Sequence, residues 1–242
     1  MEDEQWLLKE KYHGEKSTGF FDDCERLRAG EPLAYVIGSV PFLNTRIFLD
    51  SLPLIPRPET EFWTAEVINT IPEHARVLDL CAGSGCIGVA IAKDLPNTKV
   101  TFAELEERHL DTIKKNLTAN EIDTGRCTAL QSDLFASVTG PYDVILSNPP
   151  YIDPVLDRAE PSVTAYEPHQ ALYGGKEGME LIRDIIQQAP GYLSPAGQLW
   201  LEHEPEQAAA IIVLGTQAGF VVQPHLDQYG VVRYSVLQLG ST

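Results

Sequence analysis

From Ala75 to Ser147 the sequence keeps switching its hydrophobic period. Ala75-Arg-Val-Leu-Asp-Leu80, Lys99-Val-Thr-Phe-Ala103, Cys127-Thr-Ala-Leu-Gln131 and Tyr142-Asp-Val-Ile-Leu-Ser147 are short runs of strand type. Between them, 86–94 and 106–119 carry apolar residues at helical spacing, with Leu110, Ile113 and Leu117 along one face. Strands joined by helices in this rhythm lie parallel, so the fold class is α/β, a sheet with helices on both faces. Ligands of such sheets sit outside the carboxyl ends of the strands, which places the chemistry just after residues 80, 103, 131 and 147. A long connection follows, then a predicted helix at 177–190, a strand at Gln198–Glu202, a helix at 205–218 and late strands near 219–223 and 231–238. At 242 residues the chain has room for one such domain and a short appendage.

The appendage lies at the front. Residues 1–29 are charged and predict one or two short helices, with Trp6, Leu7, Phe20, Phe21 and Leu27 as anchors, forming an adaptor segment or a frayed arm. From Leu33 to Ile55 the pattern turns to β-branched and aromatic residues broken by turn formers. Ala34-Tyr-Val-Ile-Gly38, Val40-Pro-Phe-Leu-Asn44 and Thr45-Arg-Ile-Phe-Leu49 together predict a small antiparallel hairpin. Pro53, Pro56 and Pro58 stiffen what comes next, because proline removes backbone donors and holds its predecessor extended. A helix at roughly 60–70 leads into the first strand of the sheet. The expected organisation is therefore 1–29, a short helical segment; 30–58, hairpin and proline-rich linker; and 59–242, the main domain.

After the first of those strands comes Asp79-Leu-Cys81-Ala82-Gly83-Ser84-Gly85-Cys-Ile-Gly88. Glycines at 83, 85 and 88 let a chain turn sharply, approach a ligand without a Cβ in the way, and pack the next helix close. Glu104 ends the second strand 21 positions beyond Gly83, near the offset at which an acid accepts hydrogen bonds from a ribose. Loop plus acid points to an adenosine-bearing cofactor. A nicotinamide dinucleotide and S-adenosylmethionine both meet that description.

At the end of the fourth strand stands Ser147-Asn148-Pro149-Pro150-Tyr151. Two prolines fix the backbone and leave carbonyls without neighbouring amide donors, and Asn148 adds a side-chain acceptor. Such a corner can hold an amino group by both hydrogens, Asn148 and the Pro149 carbonyl each taking one, while Tyr151 stacks on the flat group that bears it. A nicotinamide oxidoreductase leaves this corner without a role.

Charge and composition remove other classes. Eighteen Lys and Arg against 35 Asp and Glu leave a net charge of −17, the wrong sign for a broad nucleic-acid face. No apolar run has the length of a membrane span and the start lacks the order of a signal peptide, so a soluble, cytoplasmic protein is expected, with no membrane partner and no direct nucleic-acid partner. Cys24, Cys81, Cys86 and Cys127 make no C-x-x-C pair and have no companion histidine at ligand spacing; reduced thiols and no metal are expected.

The Asn148-Pro-Pro-Tyr151 corner behind an Asp79-x-x-x-Gly83-x-Gly85 loop resembles the amino-methylating class I S-adenosylmethionine-dependent methyltransferases. Further segments resemble the HemK/PrmC family, the protein-(glutamine-N5) methyltransferases of class 1 peptide chain release factors. These are Gly30-Glu-Pro-Leu-Ala-Tyr35, Leu54-Ile-Pro-Arg-Pro-Glu-Thr-Glu61, Ser132-Asp-Leu-Phe135, Glu167-Pro, Gly174-Gly-x-x-Gly178, Leu201-Glu-His203 and Asp227-x-x-Gly230-x-x-Arg233, in the family's order across most of the chain. The NPPY tetrapeptide is shared with adenine-N6 DNA methyltransferases; the proline segment with the hairpin before it is more particular.

The resemblance implies a Rossmann-like, seven-stranded, mostly parallel sheet whose last strand is antiparallel. It also implies S-adenosylmethionine held by Asp79, Cys81, Ala82, Gly83, Ser84, Gly85, Glu104, Asp133, Leu134 and Asn148. Asn148, Pro149 and Tyr151 are the expected catalytic residues, and Asn148, Pro149, Pro150 and Tyr151 the expected substrate contacts. Glu104 stands where the family usually has Asp, and Leu134 where some members carry Trp. The Arg57-Pro58-Glu59-Thr60 turn either lines the same cleft or serves as a rigid linker. The expected partner is a class 1 release factor; the alternative acceptors are another protein glutamine or N6 of an adenine. A longer helical recognition domain precedes Gly30 in the family, and residues 1–29 read as a reduced form of it. The sequence assigns no oligomeric state.

Overall fold

The computed structural model describes residues 2–156 and 161–240. Its centre is a seven-stranded sheet of β3 (Arg76–Leu80), β4 (Lys99–Glu104), β5 (Cys127–Gln131), β6 (Tyr142–Ser147), β7 (Leu193–Glu202), β8 (Phe220–Leu226) and β9 (Val232–Leu239). Their order is β5-β4-β3-β6-β7-β9-β8. The ladders from β5 through β7 are parallel, and β9, the last strand in sequence, runs antiparallel to both β7 and β8. The strand order reverses between β3 and β6, and that switch point opens the crevice in which the loops after β3, β4 and β6 meet.

Alternation along each strand builds two cores. On β3, Val77 joins one cluster and Leu78 and Leu80 the other; on β6, Val144 and Leu146 face one way and Ile145 the other. The first core is closed by α4 (Pro58–Ile68), α5 (Cys86–Asp94), α6 (Glu107–Ala119) and the hairpin, with Trp63 and Val67 fully buried. The second is closed by α8 (Glu180–Gln188) and α9 (Ala208–Gln217), through Ile182, Ile185, Ile186 and Ile211. A short helix, α7 (Pro161–Tyr166), lies in the connection after β6.

The front of the chain is packed, not frayed. Helices α1 (Glu2–Glu10) and α2 (Thr18–Arg28) bury Leu7, Phe20 and Cys24 against Val36. Ser17 caps α2 by accepting from the Phe20 amide. Buried Asp23 takes hydrogen bonds from Lys11 (2.7 Å), Tyr12 (2.8 Å) and Arg26 (2.8 Å).

One segment differs from its expected form. Ala34–Gly38 is not a strand of the hairpin; Leu33–Ile37 form a short helix, α3, ended by Gly38 at φ 89°. A short run that is apolar all round does not reveal its period, and here both sides are buried: Val36 faces the amino-terminal helices while Tyr35 enters the main core and donates to the Pro53 carbonyl at 2.7 Å. The hairpin proper is β1 (Ser39–Phe42) and β2 (Thr45–Phe48). Pro58 belongs to α4 as its first residue, a position where a missing N–H costs nothing, so the proline segment ends at Arg57. The helix expected from 177 begins at Glu180 because a 3-10 turn with Gly178 at φ 66° precedes it, and the helix expected from 205 opens with a 3-10 turn before Ala208. Strand β7 starts at Leu193, five residues earlier than its apolar run at 198.

The edge of β2 away from β1 is occupied by side chains of α6 and of Asn120, the residue that caps its carboxyl end. Asn120 accepts from the Arg46 amide and donates to its carbonyl, both at 2.9 Å; Asn116 does the same to Phe48 at 2.7 and 3.1 Å. Asn116 also donates to the carbonyl of Ser84 at 2.9 Å, tying the hairpin to the glycine loop.

Candidate active site

The loop after β3 leaves the sheet through a residue in the left-handed region, Cys81 at φ 60°, then Gly83 at 54° and Gly85 at 77°, and enters α5 at Cys86. A methyl group built on Gly88 would press into the Phe102 ring and against Asp79, so that glycine is what lets α5 lie on β4. At Gly83 the same test meets nothing within 4 Å. The space in front of Gly83 belongs to the cleft.

Glu104 closes this loop from the neighbouring strand. Its carboxylate accepts from the Gly83 amide at 2.7 Å and the Glu106 amide at 2.9 Å, and burial raises its pKa against the pull of those donors. One lone pair on each oxygen remains for a pair of hydroxyls such as a ribose presents. Asp79 is wholly buried beneath the loop, where it accepts from the Gly88 amide at 2.9 Å. Its other oxygen has no partner among the described residues, and burial pushes its pKa up to about 8.

Two cavities meet at the carboxyl edge. One is lined by Cys81, Gly83, Glu104, Asp133, Leu134 and Pro150, among others. The second, of about 610 Å³, is lined by Arg57, Tyr151, Asp153, Met179, Glu204 and Gln207, among others. Asn148 lines both, as do Leu54 and Ala171. Of the residues expected to hold the cofactor, Cys81, Gly83, Glu104, Asp133, Leu134 and Asn148 thus surround one space. Asp79, Ala82, Ser84 and Gly85 shape the loop from behind and do not line it. Pro149 is buried at the corner and lines neither cavity.

The corner is held from several directions. Ser147 donates to the Leu80 carbonyl at 2.9 Å, locking the ends of β6 and β3 together. The Ile152 amide donates to the Leu172 carbonyl and the Gly174 amide to the Ile152 carbonyl, a one-residue parallel bridge beyond Tyr151. Gly178 faces the Tyr151 carbonyl so closely that no side chain fits there, and Gln207 donates to that same carbonyl at 2.8 Å. Arg57 pairs with buried Glu167 at 2.6 Å, whose second oxygen accepts from the Ile55 amide at 2.9 Å. The turn at 57–60 is therefore part of the cleft wall: Arg57 lines the larger cavity and Thr60 reaches Asn148.

Sequence reasoning missed Thr60 and Glu202 as parts of one site. Asn148 Nδ2 donates to Thr60 Oγ1 at 3.0 Å, and Thr60 donates to Glu202 Oε2 at 2.7 Å. Trp63 Nε1 also donates to that oxygen at 2.7 Å, and the Tyr151 hydroxyl donates to Oε1 at 2.9 Å. Burial raises the pKa of Glu202 against these donors and sends that of Tyr151 well above its ordinary value. Beside Glu202, His203 is buried between the Glu204 carbonyl and the Ser235 hydroxyl, both at 2.8 Å, and desolvation lowers its pKa to about 4, so it is neutral at neutral pH. Among the described residues no cluster could hold a metal ion, all four cysteines are unpaired, and no helix is long and apolar enough to cross a membrane.

Solved structures of methyltransferases share this fold. One from Pyrococcus furiosus superposes with a TM-score of 0.57 at 22% identity, covering 80% of this chain and 91% of that one. The ribosomal protein L11 methylase of Lactobacillus delbrueckii subsp. bulgaricus gives 0.56 at 17%, covering 77% and 80%. The sheet order and the loop at its switch point are those of the class I S-adenosylmethionine-dependent methyltransferase fold. Within it, residues 61–160 match the family model of the methyltransferase small domain. The release factor glutamine methyltransferase of Francisella tularensis is 39% identical over 199 residues, 81% of this chain and 69% of that protein. Those of Geobacter sulfurreducens (36%; 78% and 66%) and Thermodesulfovibrio yellowstonii (34%; 96% and 83%) are similar over comparable or greater spans. The chain belongs to the release factor glutamine methyltransferase family.

Proposed function

We propose that this chain transfers a methyl group from S-adenosylmethionine to the side-chain amide nitrogen of the glutamine in the Gly-Gly-Gln motif of a class 1 peptide chain release factor. The observation that carries the reading is the position of Asn148, the one polar side chain shared by the loop-and-acid cavity and the larger cavity behind Tyr151. A donor on one side and an acceptor on the other meet at its amide.

The residues present fit the cofactor. Gly83 leaves open space where a side chain would stand, and Glu104 keeps free lone pairs at the end of β4. Asp133 and Leu134 line the same cavity. When bound there, S-adenosylmethionine supplies an electrophilic methyl group on a sulfonium. The chain supplies position. The Asn148 side-chain oxygen and the Pro149 carbonyl each accept one hydrogen of the substrate amide, which turns the nitrogen lone pair toward the cofactor cavity. An amide nitrogen is a poor nucleophile, and holding it within ~3–3.5 Å of the reacting carbon is a large part of the rate. Its proton becomes acidic as the new bond forms, so no strong base is required; Asp79 faces the Gly88 amide of α5 and Glu104 the Gly83 amide of the loop.

The test is transfer of labelled methyl from S-adenosylmethionine to a release factor, to the same factor with its motif glutamine replaced, and to DNA. Label is expected on the first alone, and Asn148→Ala, measured at saturating cofactor, should lower the chemical rate by roughly 10²-fold. Label on the glutamine-free factor, or on DNA alone, overturns the assignment.

A further inference from the structure

A side-chain amide has two nearly identical faces. Presented nitrogen-first, Asn148 would repel the amide hydrogens it has to hold. Something must decide which way it points, and the hydrogen-bond chain behind it does so. Glu202 is 1% exposed and receives three donors. The indole N–H of Trp63 can only donate. The Thr60 hydroxyl has a single proton, spent on Glu202 at 2.7 Å. Toward Asn148 at 3.0 Å it therefore has only a lone pair to offer, so the atom facing it is Nδ2. That leaves Oδ1 as the amide atom free for the cleft. The second oxygen of Glu202 takes the Tyr151 hydroxyl, so both ends of the NPPY corner are referred to one carboxylate.

We propose that Glu202 is a positioning residue of the methyl-transfer site: through Thr60 it sets the direction of the Asn148 amide, and through its other oxygen it sets the place of the Tyr151 ring. The consequence for turnover rests on the substrate reading above; the geometry of the chain does not. Glu202→Met keeps the approximate length and removes both acceptors, so Thr60 can turn its proton toward Asn148 and favour the reversed amide. Glu202→Gln would not, because Trp63 can only donate and holds the amide oxygen on the Thr60 side, with the new NH2 toward Tyr151. Thr60→Val keeps volume and removes the hydroxyl, whereas Thr60→Ser keeps the hydroxyl and removes a methyl group.

The experiment has two arms. In the first, the side-chain amide signals of ¹⁵N-asparagine-labelled protein are followed for wild type, T60V, T60S and E202M with no substrate present. The Asn148 pair should move and lose protection from exchange in T60V and E202M and keep its wild-type character in T60S. In the second, methyl transfer to a release factor is measured at saturating cofactor. T60V and E202M are expected to lose on the order of 10²-fold in kcat with little change in cofactor Kd, T60S to recover most of that loss, and the T60V/E202M double variant to be no worse than either single one. A packing role would instead make T60S the poorer variant. Equal kcat for T60V and T60S, or Asn148 signals that neither T60V nor E202M moves, overturns the proposal. Signals that move as expected in a protein that leaves release factors unlabelled would sink the substrate assignment and leave the positioning chain standing.

Discussion

Gly88→Ala sets two known effects against each other at one atom. Gly88 lies within α5 with helical torsions, so alanine gains about 0.8–1 kcal/mol of helix propensity. The added Cβ, however, would stand 2.9 Å from Cζ of Phe102 and 3.0 Å from Oδ2 of Asp79, where carbon contacts normally lie at ~3.5–4 Å. Phe102 is fully buried and its ring also floors the turn at Gly85, so it has no room to retreat. Overpacking costs about 1–3 kcal/mol, and with the Cβ this close to a ring that cannot retreat the upper part of that range applies, about 2–3 kcal/mol, which exceeds the propensity gain. The net loss is about 1–2 kcal/mol, a fall in Tm of roughly 2–8 °C for a domain of this size. Displacing α5 also strains the hydrogen bond from the Gly88 amide to Asp79, so titration calorimetry should show weaker S-adenosylmethionine binding. Phe102→Leu in the same background should return part of both losses, because it removes the atoms in conflict. A rise in Tm with unchanged cofactor affinity would refute the claim that this glycine is there for close packing of helix on sheet.

Gly83→Ala is expected to behave differently: its Cβ meets no protein atom, so the fold loses only the ~1–2 kcal/mol of a left-handed alanine. Cofactor affinity should fall by more than that strain explains, and a variant that binds S-adenosylmethionine as wild type does would show that the open space is not the ligand's. Asp79 has its pKa raised from 3.8 to about 8 by burial, so the folded state holds its proton where the unfolded state has lost it. Its contribution to stability is complete below pH 4 and is lost as pH rises toward 8. Relative to Asp79→Asn, the cofactor-free wild type should therefore lose on the order of a few kcal/mol across that window, measured by denaturant unfolding at several pH values. A constant difference would contradict the burial argument.

The alternation of periods made most of the sheet legible, since β5, β6 and α5 occupy the same residues that their apolar runs mark. Ala34–Gly38 was not, because its surroundings come from two different cores and a run apolar on every side carries no period. The loop and the NPPY corner could be read because glycine and proline act on their own backbone. Thr60 and Glu202 could not: one sits in the first turn of a helix, the other ends a strand, and each alone looks like an ordinary polar residue. Their partnership spans 142 positions and exists only once α4 lies across the end of β7. Asn116 and Asn120 were hidden likewise, as polar residues at the end of a helix whose only periodic signal is its apolar face.

Those two asparagines also govern the order in which the molecule can become safe. A hairpin edge with unpaired backbone groups is an invitation to any other extended chain. Here the groups that cover it stand 68 and 74 positions downstream. On a ribosome, residues 39–48 therefore emerge long before the amides that shield them. Until α6 is made, β2 is a sticky end, and a nascent or truncated chain stopping short of Asn116 carries a surface the finished protein never shows.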